Sequence, residues 1–263
     1  MKSETLTLIV GPEYSRKILI AEDNIINREL LKYYLKNSFS EIEIFDAEDG
    51  VEALQHFKKY SPDAIITDIH MPKMNGYAFS KAVRKLKEGK TIPIIAISAA
   101  TVEGTKEKCI ASGMNDYISK PILQESVKTI ILNHLPKKFA KKSPSEALRA
   151  SSEQEKQSAS NVFQKIRLMA MIGNNETLYD ELIIMAKETL GDALQELKSI
   201  DTSESLKQFA HKLKGTALNL GAKALSGVAL EVENASITTE NGIKSNKEKL
   251  YVSIKELITS INK

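Results

Sequence analysis

Hydrophobic positions along this chain follow two different periods. In the first half, short runs rich in β-branched and aliphatic residues (17–21, 41–45, 64–67, 93–98 and 116–119) alternate with longer amphipathic stretches (26–36, 50–59, 77–87, 103–111 and 122–134). The short runs have the length of strands, and the longer ones carry apolar residues every three to four positions, as helices do. Five strand and helix units in alternation predict an α/β fold, a doubly wound five-stranded parallel sheet. From residue 161 onward only the helical period remains, near 162–171, 176–199, 203–220, 223–235 and 246–261, with polar breaks at Gly173, Asn174, Asp201, Gly221 and Asn241. All seven prolines lie at or before residue 144. The second half is therefore predicted to be an all-α antiparallel helical bundle.

Residues 137–160 are Ser-rich, charged and nearly devoid of bulky apolar side chains, a composition that cannot bury enough surface to order itself. The expected organisation is an N-terminal extension (1–15), an α/β domain (16–136), a flexible linker (137–160) and a helical bundle (161–263), with the two domains tumbling independently. Charge agrees with that division. The 37 Lys+Arg and 34 Asp+Glu leave a net +3, split as 18 against 18 in residues 1–136, 13 against 13 in 161–263 and 6 against 3 in 137–160. Both domains are charge-neutral and the helical one lacks Arg clusters, so no nucleic acid partner is expected. The weakly polar run 92–102 is far shorter than the ~18 residues of a membrane span, and the 5–10 patch is too short for a secretory signal. The single cysteine, Cys109, excludes an internal disulfide and a Cys-rich metal site. A cytoplasmic location without direct membrane insertion is expected.

In a parallel sheet, ligands bind outside the carboxyl ends of the strands. Glu22 and Asp23 follow the first predicted strand, Asp68 the third; Ser98 ends the fourth and Lys120 follows the fifth. Carboxylates in such a group suit a hard cation such as Mg²⁺, which takes one or two of them together with water and phosphate oxygens. A phosphoryl group moving onto a carboxylate needs its equatorial charge neutralised, which a metal, a lysine and a hydroxyl supply. Asp68 is the natural nucleophile. Taken singly, an Asp after a strand is usually a helix cap, and a Ser or Lys at a strand end is usually solvated. Four strand ends carrying such residues together favour the functional reading.

The runs AEDN (21–24), TDIHMPKMNGY (67–77), ISAA (97–100) and YISKP (117–121) resemble the receiver domain of two-component response regulators, over about residues 16–135. That resemblance implies a flavodoxin-like receiver with Asp68 as phosphoacceptor. It further implies Mg²⁺ held by Glu22, Asp23, Asp68 and the backbone carbonyl of His70, with Ser98 and Lys120 contacting the phosphoryl group and Tyr117 as an aromatic switch. Ser98, Glu22 and Asn75 are mild departures from the commonest residues. The His70 side chain is read as a solvent-facing loop residue, since the motif holds no second His or Cys to share a metal.

Within 203–220, Leu206, Ala210, Leu213, Ala217 and Leu220 form an apolar stripe. At about 100° per residue His211 lies roughly 140° from the centre of that stripe, and Lys214 and Gly215 lie within about 60° of His211. His211 is thus expected to look outward. A neutral imidazole is nucleophilic, Lys214 offsets phosphate charge, and Gly215 admits a close approach by another protein. The string AHKLKGTALNLGA (210–222) resembles the signature of histidine-containing phosphotransfer (HPt) domains, and MIGNNETLYDELIIMAKETL (171–190) fits that family's entry helices. This implies phosphate carried on His211 with Lys214 and Gly215 in support, and no ATP site. The expected protein is a phosphorelay component, not a kinase by itself but an Mg²⁺-dependent self-phosphorylating acceptor. A sensor histidine kinase and a downstream response regulator receiver are its expected partners. The alternative is the C-terminal receiver and HPt portion of a hybrid sensor histidine kinase.

Overall fold

A computed structural model of the chain describes residues 16–98, 105–135 and 165–262. The predicted N-terminal extension and linker lie outside the described residues, as do Ala99 and Ala100 of the ISAA segment. The first unit runs β1 (Arg16–Ala21), α1 (Ile25–Ser38), β2 (Ile42–Ala47), α2 (Gly50–Tyr60), β3 (Ala64–Asp68), α3 (Gly76–Lys85), β4 (Ile94–Ser98), α4 (Thr105–Ala111), β5 (Asp116–Ser119) and α5 (Gln124–His134). All strand pairs are parallel, in the order β2-β1-β3-β4-β5. Side chains alternate across each strand, so Ile18 and Ile20 join the core under α1 and α5 while Leu19 and Ala21 join the one under α2 and α3. With both faces covered, β3 and β4 are buried at every position, which is why they read as unbroken apolar runs. The turns after the strands are held by helix caps. Asn24 accepts from the amide of Asn27, Asp49 from those of Val51 and Glu52, and Asn75 from that of Ala78.

The second unit consists of α6 (Lys165–Met171), α7 (Glu176–Ser199), α8 (Ser203–Asn219), α9 (Lys223–Asn234) and α10 (Glu240–Ile261). Its core is built from Leu182 and Ala186 on α7, Leu206, Ala210, Leu213 and Ala217 on α8, Leu225 and Val232 on α9, and Leu250, Ile254 and Leu257 on α10. The α8 stripe is the predicted one. Helix α10 starts at Glu240, earlier than its apolar period announces, and Asn241 lies inside its first turn. The Thr239 hydroxyl accepts from the amide of Gly242 at 3.1 Å, and this cap outweighs the weak helix propensity of Asn and Gly beyond it.

Independent tumbling is not what the structure contains. Helix α1 packs against α7 and α8 as well as α5, and one apolar cluster runs from the sheet through α1 into the bundle.

Candidate functional site

The carboxylates converge because of strand register. Ala21 lies opposite Thr67, so the residues that follow β1 stand beside the end of β3. Oxygens of Glu22, Asp23 and Asp68 lie within 4.8 Å of one another. On the other side of β3, Asp68 is in register with Ile97 of β4. Ser98 is buried at the end of that strand, and its carbonyl accepts from the Lys120 amide at 2.8 Å. Lys120 therefore enters the same pocket, with Nζ 2.5 Å from Asp68 Oδ2 and 3.1 Å from Glu22 Oε2. The His70 amide donates to Asp68 Oδ1 at 3.1 Å, and Asn27 Nδ2 donates to Glu22 Oε1 at 2.7 Å. Tyr117 lies on edge strand β5 with its side chain exposed.

The pocket is short of positive charge. Burial, reinforced by the charge of Asp68, pushes the Glu22 carboxyl up to about 8. Burial also raises Asp23, against the pull of Lys212. Burial acts on Asp68 in the same sense, but the charge and hydrogen bond of Lys120 together hold it below the usual carboxylate range. Lys120 is buried, yet its two carboxylate neighbours keep it firmly protonated. Glu22 Oε2 is buried and accepts no well-directed hydrogen bond. A buried oxygen whose one cationic neighbour, Lys120, is shared with Asp68, standing beside two further carboxylates, fits a hard divalent cation.

On α8 the His211 ring lies off the core stripe, as expected, but its side chain is only 15% exposed. Its Nδ1 is 2.6 Å from Glu233 Oε1 on α9, and the other oxygen of that carboxylate is 2.5 Å from Lys214 Nζ. Burial opposes ionisation of Glu233, yet these two hydrogen bonds hold its carboxyl down at about 2. An ionised Glu233 can only accept, so Nδ1 of a neutral His211 carries the proton and Nε2 carries the lone pair. Lys214 differs from its expected outward position. Its side chain is 7% exposed and is committed to Glu233. Gly215 is buried as well.

His70 is also not simply solvent-facing. Its ring centroid lies 4.1 Å from that of His211 at an interplanar angle of 58°, and Lys212 Nζ lies 3.4 Å from Asp23 Oδ2. The loop that follows Asp68 therefore meets the helix that carries His211. They border a cleft of about 690 Å³ lined by Asp23, His70, Asn75, Gln208, His211 and Lys212, among others. Lys212 and Glu233 are not among the site residues expected from the sequence. Lys212 could have been noticed as a second lysine beside His211, whereas nothing in the motif points to Glu233 on the next helix.

The fold and two family matches define a two-module chain of the two-component type. Residues 18–132 belong to the response regulator receiver domain family, and residues 177–262 to the Hpt domain family. Among curated proteins, the chain is 38% identical over 131 residues to hybrid signal transduction histidine kinase I of Dictyostelium discoideum, covering 46% of this chain and 7% of that protein. It is 31% identical over 119 residues to the signal transduction histidine-protein kinase BarA of Escherichia coli, covering 45% of this chain and 13% of that protein. The chain thus spans only a small part of the length of these relatives. A chemotaxis response regulator of Vibrio cholerae has 31% identity and a TM-score of 0.44, with 46% of this chain and 100% of that chain covered. The receiver domain of a Pseudomonas aeruginosa sensor histidine kinase, described with a magnesium ion coordinated in its active site cleft, has 29% identity and a TM-score of 0.43 over 46% of this chain and 98% of that one. No helix among the described residues is long and apolar enough to cross a membrane.

Proposed function

We propose that this chain relays phosphoryl groups in the cytoplasm: the receiver (16–136) accepts phosphate on Asp68, and the HPt bundle (161–263), tethered through 137–160, carries it on His211. The observation that supports this most directly is the meeting of the two sites. His211, its Nδ1 engaged by Glu233, lies against His70, two residues from Asp68 and beside the Asp23 and Lys212 pair. In the first step an Asp68 oxygen attacks the phosphorus of a phosphohistidine or small acyl phosphate, and the leaving group departs with its electron pair. In the second, the His211 Nε2 lone pair attacks the phosphorus of the aspartyl phosphate; the P–N bond forms and the broken P–O pair returns to the Asp68 carboxylate. The proton stays on Nδ1, where the ionised Glu233 accepts its hydrogen bond and balances the positive ring.

Glu22, Asp23 and Asp68, with the His70 carbonyl, would hold Mg²⁺, which when bound neutralises charge on phosphoryl oxygens. Lys120 and Ser98 orient the phosphoryl oxygens from the other side, and Tyr117 is the residue assigned to reorient with Ser98. Lys214 acts through Glu233, and Gly215 supports close packing over His211. The donor is a sensor histidine kinase and the onward acceptor a second receiver domain. The test is labelling with a small acyl phosphate and Mg²⁺. Acid-stable, base-labile label on Asp68 and base-stable, acid-labile label on His211 are expected; Asp68→Asn abolishes both and His211→Gln only the second. Normal labelling of Asp68→Asn would overturn the assignment.

A further inference from the structure

The geometry points to the receiver of this same chain as the docking partner of α8, held in register by three polar rungs. This rests on His211 being the phosphoryl carrier, and it names the partner from which, or to which, His211 passes its phosphate. Lys212, Thr216 and Asn219 lie about one turn apart along one side of α8. Each meets a residue at the start of α1. Lys212 pairs with Asp23 at 3.4 Å, Asn24 Nδ2 donates to Thr216 Oγ1 at 3.0 Å, and Asn219 Nδ2 donates to Asn27 Oδ1 at 2.7 Å.

Asn219 carries the argument furthest. It is fully buried, and both ends of its amide are satisfied by the receiver, since its oxygen also accepts from the Ile122 amide at 2.9 Å. A buried amide costs stability unless both ends are paired, so a side chain whose two partners belong to another unit is shaped for that unit. Asn27, the receiving residue, spends its own nitrogen on Glu22 in the acidic pocket. The rungs therefore end at the pocket itself, and the seat of α8 fixes where His211 stands relative to it.

A second contact, on α6, is independent of the rungs. The last carbonyls of a helix lack intrahelical partners. Tyr34 Oη donates to the Met171 carbonyl at the end of α6 at 3.2 Å, and Tyr33 Oη to that of Ile172 at 2.9 Å. This turn precedes residue 177, where the Hpt family match begins.

The experiment uses the full chain, Cys109→Ser, with spin labels at Lys81→Cys and Glu256→Cys, both exposed and far along the chain from the rungs. A narrow interlabel distance distribution is expected. Asn219→Ala and Asn27→Ala should each lower the docked-to-undocked ratio about tenfold. Both remove the Asn219 to Asn27 bond, one from each unit; Asn219→Ala also frees the Ile122 amide and Asn27→Ala also frees Glu22, so an unchanged circular dichroism spectrum and Asp68 labelling in each variant separate undocking from misfolding. A broad distribution in the parent chain, or a narrow one indifferent to both substitutions, overturns the inference. In parallel, the rate at which His211 gains label from phosphorylated Asp68 should not change on dilution. Rates that scale with chain concentration overturn cis docking while leaving the phosphorelay reading intact. A narrow distribution lost in both variants, with Asp68 labelled but His211 never labelled, supports the docking and sinks the relay instead.

Discussion

Glu22 and Glu233 are carboxyls displaced in opposite directions, and each displacement has a measurable consequence. Glu22 is raised to about 8 by burial and by Asp68. In the folded chain it keeps a proton that the unfolded chain has lost, so the cation-free fold loses stability as pH rises from the ordinary carboxylate range through about 8. A cation must displace that proton, and Mg²⁺ affinity should therefore strengthen over the same interval. Titration calorimetry below and above that pH, with proton release read from buffers of different ionisation heat, checks it; equal affinities would disconnect Glu22 from the cation. Glu233 is depressed, so its contribution is complete above 4.5 and is lost as pH falls towards about 2. Glu233→Gln should slow labelling of His211 by roughly 10- to 100-fold, the usual worth of a carboxylate that orients a functional histidine. It also strands the buried Lys214 ammonium, a fault that costs about 3–5 kcal/mol. The double variant Glu233→Gln, Lys214→Met should recover most of that stability but not the transfer rate. Recovery of both would mean that Glu233 only neutralises Lys214.

Helix ends and faces show where the sequence was legible. Thr239→Ala should lower the denaturation midpoint of the chain by an amount equivalent to about 1 kcal/mol, because it removes the α10 cap, while Asn241→Ala should not destabilise. The start of α10 was misplaced for the same reason: apolar period marks the buried face, and its first turn is polar. The grouping at the strand ends, by contrast, was readable. A parallel topology brings the ends of neighbouring strands together whatever the side-chain details, so Glu22, Asp23, Asp68, Ser98 and Lys120 followed from order and spacing alone. Glu233 did not, since its approach to His211 depends on how α8 and α9 rotate against each other. Lys214 was misjudged similarly; angle around one helix says nothing of the neighbour that covers it. The contact between the units has its trace in α1 at Tyr33 and Tyr34, two adjacent tyrosines whose hydroxyls reach the carbonyls of Ile172 and Met171.

That continuous apolar cluster has a consequence for stability. Ile20 and Ile66 in the sheet, Leu30 and Tyr34 on α1, and Leu190 and Ala217 in the bundle belong to one connected core. Two units sharing a core gain less from separate unfolding than two joined only by a tether, since opening one exposes the apolar face of the other. Thermal unfolding of the chain should therefore give a single calorimetric transition whose calorimetric and van't Hoff enthalpies agree. On the proposed reading Mg²⁺ is a ligand of the folded receiver pocket, and by mass action its addition should raise that one transition for both units, read at once by sheet-sensitive and helix-sensitive probes. Replacing Leu30 or Tyr34 would damage the receiver itself, so Asn219→Ala is the informative variant: it loosens the contact through polar groups and should split the transition in two. Only the receiver's transition should then move with Mg²⁺. A parent chain that already melts in two steps, with the helical step blind to Mg²⁺, would show that the shared core does not couple the units.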